Sequence, residues 1–358
     1  MAGAQGIISS NALTLADYAL NSNQPLMQRV TMSLIDYGNV LQDVPLVTKA
    51  SLIANGTRFE GNLPTVNWTP LNSEGVTTKG VPTAYQEQVY LIRNYIDVDK
   101  FIVMDQNQIA EPRGLQTQAY LEALTYDFNT KFFKNDHATG DVNSFVGIRA
   151  RIDNGGLFGV RSENKIDAGG LDISTTALTT AATQYNGNKM IELLDQLLWS
   201  VGSPDGAGVT IYMNDNMKRR LNFMLRALGT AGGLDVSKDM FDRDQTTYKN
   251  AVLRDPGVRV DQTTRIILGP AQAGVTGQNG ETATGADGST NTTPQYTSIY
   301  AVNYSTDHFF GWQMAELNTQ DLGLVYDGAF YRTLIDWAVG FMNVNIRSLA
   351  RIYDIKIC

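Results

Sequence analysis

The chain has 358 residues, 43% of them hydrophobic, which is enough to bury one large core or two to three smaller ones and excludes general disorder. Its net charge of −8 argues against a main role in binding nucleic acid through its phosphates, because that role requires a basic surface. The sequence shows no run of eighteen apolar residues and no secretory signal, and its single cysteine, Cys358, excludes an internal disulfide, so we expect a protein made and kept in a cytoplasm.

The first 45 residues form a predicted arm with few charges and only short apolar clusters. An amphipathic helix over residues 25–41 is compatible with Pro25 in its first turn, although Gly38 weakens its end. The segment has too few apolar residues for a core of its own. We therefore expect it to lie either on its own subunit or on a neighbour.

The period of the hydrophobic pattern changes to two between residues 58 and 103. Residues 83–99 alternate as in one long strand, and residues 56–70 predict its partner strand, so the two form a long hairpin. The side chains that this hairpin would expose include Trp68, Tyr85, Val89 and Leu91. Because an isolated hairpin is marginal in water, we expect it to lie against another surface. The alternative is the edge of a larger sheet in the same domain.

Residues 115–136 show the most sustained helical periodicity in the chain. The apolar side chains that recur at spacings of three and four are Leu121, Leu124, Phe128 and Phe132. A helix of this length is a rod of about 30 Å, and we predict that it is the spine of the fold. The alternative is an ordinary core helix of a soluble enzyme. After the spine, residues 145–152 predict a short strand.

The pattern becomes α/β over residues 176–300 and predicts an inserted domain. Its predicted elements are a helix at 188–201, a strand at 209–213, a helix from a cap at Asn214 or Asp215 to residue 228, and strands at 258–260 and 265–268. Residues 269–294 are rich in Gly, Thr, Asn and Ala and predict a surface loop. The closing strands, predicted at 297–304, at 308–313 and within 331–358, are expected to return to the spine helix.

No catalytic, cofactor-binding or metal-binding set of residues emerges from the sequence. The two histidines, His137 and His308, stand in different contexts, and the sequence has no nucleophile elbow, phosphate-binding loop, dinucleotide fingerprint or zinc-protease motif. One helix is made basic by Lys218, Arg219, Arg220 and Arg226, which indicates a solvated or subunit-contacting face, with nucleic-acid contact as the lesser alternative. The sequence therefore describes architecture and predicts a protein that is not an enzyme.

Three parts of the chain carry a resemblance to a known family. They are FNTKFFKND at residues 128–136 with FVGIRARI at 145–152, TIYMNDNMKRRL at 210–221, and QDLG at 320–323 with RTLIDWAVGFMNVNIRSLARIY at 332–353. In their order and spacing they resemble the major capsid proteins of tailed bacteriophages. The resemblance implies an α+β, HK97-like capsid fold with a long spine helix, an extended β-hairpin called the E-loop, and an inserted α/β A-domain.

The resemblance also implies a division of the chain and a role for it. The implied segments are an N-terminal arm (1–45), the E-loop hairpin (46–103), the P-domain with the spine helix (104–175), the A-domain (176–300) and the closing strands of the P-domain (301–358). The implied role is a structural subunit that self-assembles, as pentamers and hexamers, into an icosahedral phage head enclosing double-stranded DNA.

The partners implied by the resemblance are copies of the chain itself, a portal, a scaffolding protein and packaged DNA bound without sequence specificity, with no membrane. The chain leaves no room for the long N-terminal scaffolding segment of some members, so a separate scaffolding protein is expected. The expected inter-subunit contacts are Trp68, Lys79, Tyr85, Val89 and Leu91. In members that form a covalent Lys-to-Asn cross-link, the matching lysine would be Lys79, with Asn343 or Asn345 as the acceptor.

Two other functions are compatible with the sequence. The first is an encapsulin, a cellular compartment of the same fold that encloses proteins in place of DNA. The second is a soluble enzyme with an inserted lid domain. The contents of a purified particle distinguish a phage head from an encapsulin, and a small discrete oligomer with a bound small molecule would favour the enzyme.

Overall fold

A computed structural model of the protein describes residues 39–58, 63–104, 112–138, 140–173, 181–227, 234–238, 244–262, 264–267, 296–325 and 328–356. The predicted loop at 269–294 lies outside these residues, as do residues 1–38 of the predicted arm. The described residues contain both helices and sheets, so the α+β fold class is confirmed.

The elements follow one another in a mixed order. The helices are α1 Asn39–Asp43, α2 Lys100–Met104, α3 Pro112–Lys134, α4 Ile148–Asp153, α5 Gly155–Phe158, α6 Ala181–Ser200 and α7 Asp215–Ala227. The strands are β1 Leu46–Thr48, β2 Ile53–Arg58, β3 Thr83–Gln88, β4 Tyr90–Asp99, β5 Lys165–Asp172, β6 Val209–Tyr212, β7 Leu234–Lys238, β8 Asp244–Tyr248, β9 Ala251–Arg254, β10 Tyr296–Asn303, β11 Phe309–Val325, β12 Phe330–Asn343 and β13 Leu349–Lys356.

The strands form three sheets. A four-stranded sheet has the order β1-β11-β12-β4, a seven-stranded sheet has the order β5-β13-β10-β6-β9-β8-β7, and β2 pairs with β3 alone. The closing strands are divided between the two larger sheets: β11 and β12 lie in the first, and β10 and β13 lie in the second. Strand β4 is an edge of the four-stranded sheet, since only β12 pairs with it.

Helix α3 is the predicted spine helix, and it ends two residues before the predicted end. The side chains of the predicted stripe, Leu121, Leu124, Phe128 and Phe132, are all buried. The Phe128 ring stacks on Trp337 of β12 with 5.4 Å between centroids, and Phe132 meets Phe341 of the same strand at 5.1 Å. The closing strand β12 therefore covers the apolar face of the helix, as expected.

The C-terminal end of the spine helix also contacts the seven-stranded sheet. The Phe133 ring lies 5.2 Å from Tyr212 of β6 and 5.6 Å from Tyr300 of β10. Ile299 and Ala301 of β10 belong to a second hydrophobic cluster that includes the buried faces of α6 and α7. This sheet therefore separates two cores, because successive residues of a strand point to opposite faces.

The helix predicted after strand 209–213 begins where its cap was expected. Asn214 accepts a hydrogen bond at its Oδ1 from the backbone N–H of Asn216 at 2.8 Å, which satisfies one of the free donors at the start of α7. The strands predicted at 258–260 and 265–268 are wrong within the described residues. One isolated bridge joins Val258 to Arg265, because Asp261 and Thr264 close a tight turn between them.

The strand predicted at residues 145–152 is wrong, since residues 148–153 form helix α4. The backbone of Gly147 donates to the carbonyl of Asn135 at the end of the spine helix, and a Cβ at Gly147 would lie 2.7 Å from the Lys131 carbonyl oxygen. The chain is therefore held against the end of the spine helix. Ile148 and Ile152 are both buried and share one face of α4 through their spacing of four.

The long strand predicted at residues 83–99 is two strands in two different sheets. Residues 83–88 pair with β2, and residues 90–99 pair with β12. The change of sheet occurs beside Gly340, where an added Cβ would lie 2.7 Å from the carbonyl oxygen of Gln88. Alternation of side chains does not reveal this change, because it is the same whichever partner a strand has.

The end of the predicted arm belongs to the core of its own subunit. Val40, Leu41 and Val44 are fully buried in the cluster that contains the spine helix. Asp43 accepts hydrogen bonds from the Tyr212 hydroxyl at 2.8 Å and from Arg254 Nε at 3.2 Å. For residues 39–45, the structure thus decides between the two expected surfaces in favour of the arm's own subunit.

Candidate interaction surface

Exposed apolar side chains are concentrated in one part of the described chain. Thirteen of its 22 exposed large hydrophobic side chains lie between Leu52 and Met104. They fall into two groups, one on the β2–β3 hairpin and its connection, and one along β4 and on α2, where Phe101 is 80% exposed. A concentration of this kind is typical of a surface that contacts another molecule, since isolated exposed hydrophobics need no such explanation.

The connection between β2 and β3 carries the most exposed side chains. Residues 63–82 contain no helix or strand, and a turn at Pro70 is closed by the N–H of Ser73 at 3.2 Å. Leu71 at this turn is 93% exposed, and Trp68 is 96% exposed. The segment has one acidic and one basic residue, Glu74 and Lys79. It is therefore an almost neutral, apolar surface.

The base of the hairpin packs against its own subunit. Tyr85 and Val89 pack against a small cluster with Ala54 of β2 and Trp312 of β11. The ring of Tyr85 lies directly over Gly56 on the paired strand, where any Cβ would collide with it. The hairpin therefore has two parts, a base that packs on its own subunit and a connection that is exposed.

A buried ion pair fixes this base to helix α4. Arg151 is 1% exposed and donates from both terminal nitrogens to the carboxylate of Glu87, at 2.6 and 3.1 Å. Its Nε donates to the carbonyl of Val146 at 3.0 Å. The guanidinium also lies over the Phe158 ring at 5.2 Å. Such bidentate geometry orients the two groups strongly, so the direction in which the hairpin leaves the subunit is set here.

The predicted contact residues are thus divided by the structure. Trp68, Lys79 and Leu91 are exposed, whereas Tyr85 and Val89 are half-buried and contact their own subunit. The partner strand predicted at 56–70 is limited to Ile53–Arg58 within the described residues. Of the two possible cross-link acceptors, Asn343 is buried and donates from Nδ2 to the carbonyl of Phe158 at 3.1 Å.

Sequence reasoning missed Glu87 and Arg151, and it also missed the exposed groups around Leu71 and Phe101. One signal was present for the ion pair: Glu87 lies between Tyr85 and Val89 on one face of a strand. A carboxylate on an otherwise apolar face requires a buried cationic partner. No sequence signal identifies Arg151 as that partner, because 64 residues separate the two.

The described residues offer little for other kinds of site. No group of three or more metal-ligating side chains comes together among them, and none of the described helices is long and apolar enough to cross a membrane. On the basic helix α7, Lys218 is half-buried and donates to the carbonyl of Leu253 at 3.2 Å, and burial lowers its pKa. Arg219 pairs with Asp215 on the same helix.

Comparison with known proteins gives a family match over part of the chain and a fold for most of it. Residues 26–177 match the sequence model of a family described as major capsid protein GP7. No curated protein sequence matches the chain. Among solved structures, the chain of the holo-SrpI encapsulin complex from Synechococcus elongatus PCC 7942 is similar over 97% of both chains, with 10% identity and a TM-score of 0.55.

Two further structures are similar over most of the chain. The capsid of the native GTA particle has 8% identity and a TM-score of 0.51, over 88% of this chain and 90% of that one. The capsid of Cyanophage P-SCSP1u has 9% identity and a TM-score of 0.50, over 86% of this chain and 84% of that one. At these identities the likeness shows the fold, which is the HK97-like fold expected from the sequence. Residues 26–177 thus match a major capsid protein family, and the fold of the chain is HK97-like.

Proposed function

We propose that copies of this chain assemble, as pentamers and hexamers, into a closed icosahedral phage head around double-stranded DNA, without catalysing a reaction. The observation that carries the proposal is the hairpin connection at residues 63–82, which leaves Trp68 and Leu71 almost fully exposed. One large aromatic side chain brings about 150–250 Å² of surface, worth several kcal/mol at about 25 cal/mol per Å² before ordering costs. Repeated in every copy, such contacts can hold a closed particle.

The proposal assigns the segments of the chain as the resemblance does. Residues 46–103 serve as the E-loop, 104–175 and 301–358 as the P-domain, 176–300 as the A-domain and 1–45 as the arm. Trp68, Lys79 and Leu91 contact a neighbouring subunit directly, while Tyr85 and Val89 support the hairpin from its own subunit. The strong anchoring of the base and the exposure of the connection support this division of roles.

The proposed partners are a scaffolding protein, a portal and packaged DNA, with assembly in the host cytoplasm and a final place in the virion. The net charge of −8 supports a shell that encloses DNA without binding it sequence-specifically. An encapsulin remains the second candidate function, since the structure of an encapsulin complex has a TM-score of 0.55 with this chain. Particle contents separate the two.

The first experiment is electron microscopy of the purified protein with nuclease protection of particles from infected cells. Closed particles that hold nuclease-resistant DNA are expected. Closed particles that hold a protein cargo and no DNA would favour the encapsulin function. A small oligomer under all assembly conditions would contradict both.

The second experiment replaces residues 63–82 with a short Gly/Ser turn that keeps β2 and β3. The variant should fold with unchanged circular dichroism, because this segment supplies no residue to the described hydrophobic clusters. Analytical ultracentrifugation should find it as a small species that no longer assembles. The matched control, Glu74→Gln in the intact segment, should assemble as the parent does. Particles formed by the deletion variant would show that the hairpin connection is not the assembly surface.

A further inference from the structure

The sequence contains four Asn-Gly pairs, and three of them lie within the described residues: Asn55–Gly56, Asn154–Gly155 and Asn186–Gly187. The fourth, at Asn279, lies outside them. In such a pair the backbone nitrogen of the glycine can attack the carboxamide carbon of the asparagine, because glycine has no Cβ to restrict the backbone. A succinimide forms and ammonia leaves. Water then opens the ring to aspartate or to isoaspartate, in which the main chain runs through the side chain.

Asn154 lies in the turn between the two short helices α4 and α5. It is exposed, with backbone angles of φ −104° and ψ 39°, and its side chain makes no capping hydrogen bond to α5. This ψ is outside the α-helical range. Gly155 is the first residue of α5, and the first N–H groups of a helix have no acceptor within that helix. Neither the carboxamide nor the attacking nitrogen is thus held by α5.

The other two described pairs are held by regular structure. Asn186 lies inside the 20-residue helix α6, and its side chain donates to a backbone carbonyl at 2.8 Å. Asn55 lies in β2, where pairing with β3 keeps the backbone extended and the Tyr85 ring lies over Gly56. Ring closure at either position requires local opening of a helix or a strand pair. At Asn154 it requires only rotation within a turn.

The packing of Gly155 explains why a reactive pair stands at this turn. Gly155 is buried, and its carbonyl accepts a hydrogen bond from the N–H of Val160 at 2.8 Å. A Cβ at Gly155 would collide with the carbonyl oxygen of Val160. The close approach of the two backbones therefore requires glycine, and this glycine leaves the preceding asparagine open to attack.

The turn is connected to the residues that anchor the base of the hairpin. Phe158 ends α5, and its ring lies 5.2 Å from the guanidinium of Arg151, which holds Glu87. The carbonyl of Phe158 accepts a hydrogen bond from Asn343 at 3.1 Å. Isoaspartate at the turn would add a methylene to the main chain between α4 and α5. We expect this to displace Phe158 from Arg151 and weaken the support of the ion pair.

We propose that Asn154 deamidates spontaneously through a succinimide formed with Gly155, and that the isoaspartyl product loosens the base of the hairpin through α5. The backbone nitrogen forms a bond to Cγ, the bond from Cγ to Nδ2 breaks, and the proton of the backbone nitrogen leaves with the side-chain nitrogen as ammonia. Water is the co-reactant of ring opening. Because the attacking nitrogen must lose its proton, the rate should rise with hydroxide concentration. The reaction takes place in the free subunit and does not depend on assembly.

The first test follows the purified full-length protein over time at mildly alkaline pH by peptide mapping. Trypsin releases residues 152–161 and residues 50–58, which contain Asn154 and Asn55 as their single asparagines. Digestion in heavy-oxygen water marks any deamidation that occurs after unfolding. In the folded protein, conversion should be about tenfold faster at Asn154 than at Asn55, which corresponds to a barrier lower by about 1.4 kcal/mol. In denaturant the two rates should be similar. A rate at Asn55 that equals or exceeds that at Asn154 in the folded protein would overturn the inference.

The second test measures the effect of the product on the hairpin. Parent and Asn154→Gln are aged together, since glutamine keeps a neutral carboxamide but closes a larger ring much more slowly. An isoaspartyl methyltransferase counts isoaspartate, and amide hydrogen exchange is measured in α5, β2 and β3. Exchange should increase severalfold with the isoaspartate content of the parent and stay unchanged in the aged variant. Aged parent without isoaspartate, or isoaspartate without faster exchange, would overturn the inference, as would an equal increase in the variant.

Freshly purified Asn154→Asp separates the new charge from the longer main chain. The neighbouring Asp153 already lies 2.8 Å from Lys165 and 3.1 Å from Arg351, so an added carboxylate meets nearby cations. Exchange in β2 and β3 should therefore equal that of the fresh parent. If Asn154→Asp shows the same increase as the aged parent, charge is the cause, and the route through a lengthened main chain is overturned.

Discussion

The spine helix and the hairpin are both rich in aromatic residues, but they use them differently. Phe128 and Phe132 of the spine helix are at most 2% exposed and contact the rings of β12 and its neighbours. Trp68 of the hairpin connection is 96% exposed. Aromatic residues at helical spacing can share one continuous face with many partners, whereas a segment without regular structure offers each side chain no partner of its own. The first set stabilises a subunit, and the second is available to a neighbour.

The hairpin itself repeats this contrast over a short distance. Its base is held by the ion pair between Glu87 and Arg151 and by the packing of Tyr85 against its own subunit. Its connection has no comparable contact within the described residues. The boundary between the packed part of the subunit and its uncovered surface thus lies inside the hairpin, beyond Arg58 on one strand and before Thr83 on the other. Three changes compare the contacts of the spine helix with those of the hairpin base.

The largest effect is expected for Phe128→Ala. Removing this ring leaves a cavity beside Trp337 and Phe341 and should lower the free energy of unfolding by about 3–5 kcal/mol. Chemical denaturation measures this change. The matched control is Leu115→Ala on the same helix, which is 53% exposed and should change stability by less than about 0.5 kcal/mol. Equal stability of Phe128→Ala and the parent would remove the spine face from the core.

A smaller loss is expected for Glu87→Gln. The amide keeps one acceptor but leaves the buried guanidinium of Arg151 without its counter-charge, so we expect a loss of about 1.5–3 kcal/mol. Chemical denaturation measures the change in the free energy of unfolding. Amide hydrogen exchange should increase more in β2 and β3 than in the spine helix. Glu74→Gln in the exposed connection is the control and should change neither. If β2 and β3 keep their protection in Glu87→Gln, the ion pair does not anchor the base.

The smallest effect is expected for the ion pair at the end of the spine helix. The hydrogen bond from Lys131 lowers the pKa of Asp141 below 3.8. Burial lowers the pKa of Lys131, but its bonds to Asp141 and Asp127 outweigh burial and raise it above 10.5. The ion pair therefore contributes its full stabilisation of the folded state between about pH 4 and pH 10. This contribution is lost as the pH falls through the folded pKa of Asp141 or rises through the folded pKa of Lys131.

Asp141→Asn tests this pH dependence. Because Asp141 is 41% exposed, solvent screening limits the loss at pH 7 to less than about 1 kcal/mol. Denaturation at a series of pH values should find parent and variant equally stable once the pH is below the folded pKa of Asp141. A difference that persisted into strong acid would mean that the charge of Asp141 is not its source.

Much of the fold could be predicted because its strongest elements have local signals. The spine helix, the cap at Asn214 and the strand at 209–212 each have a periodicity or a turn residue that requires no knowledge of the rest of the chain. The long strand β11 had no such signal beyond residue 313. Its register shifts between Gln313 and Ala315, between Ala315 and Asn318 and between Asp321 and Gly323, and these irregularities break the alternation.

The sequence by itself determined the helical spine, the period-two strands, the exposed character of Trp68 and the lack of a catalytic motif, because each follows from neighbouring residues. Tertiary structure alone decided that residues 83–99 are divided between two sheets, that the segment at 145–152 enters helix α4 beside the end of the spine helix, and that Glu87 is paired with Arg151. These outcomes depend on contacts between distant parts of the chain. Local patterns do not specify such partners, since packing and burial are settled only when all elements meet.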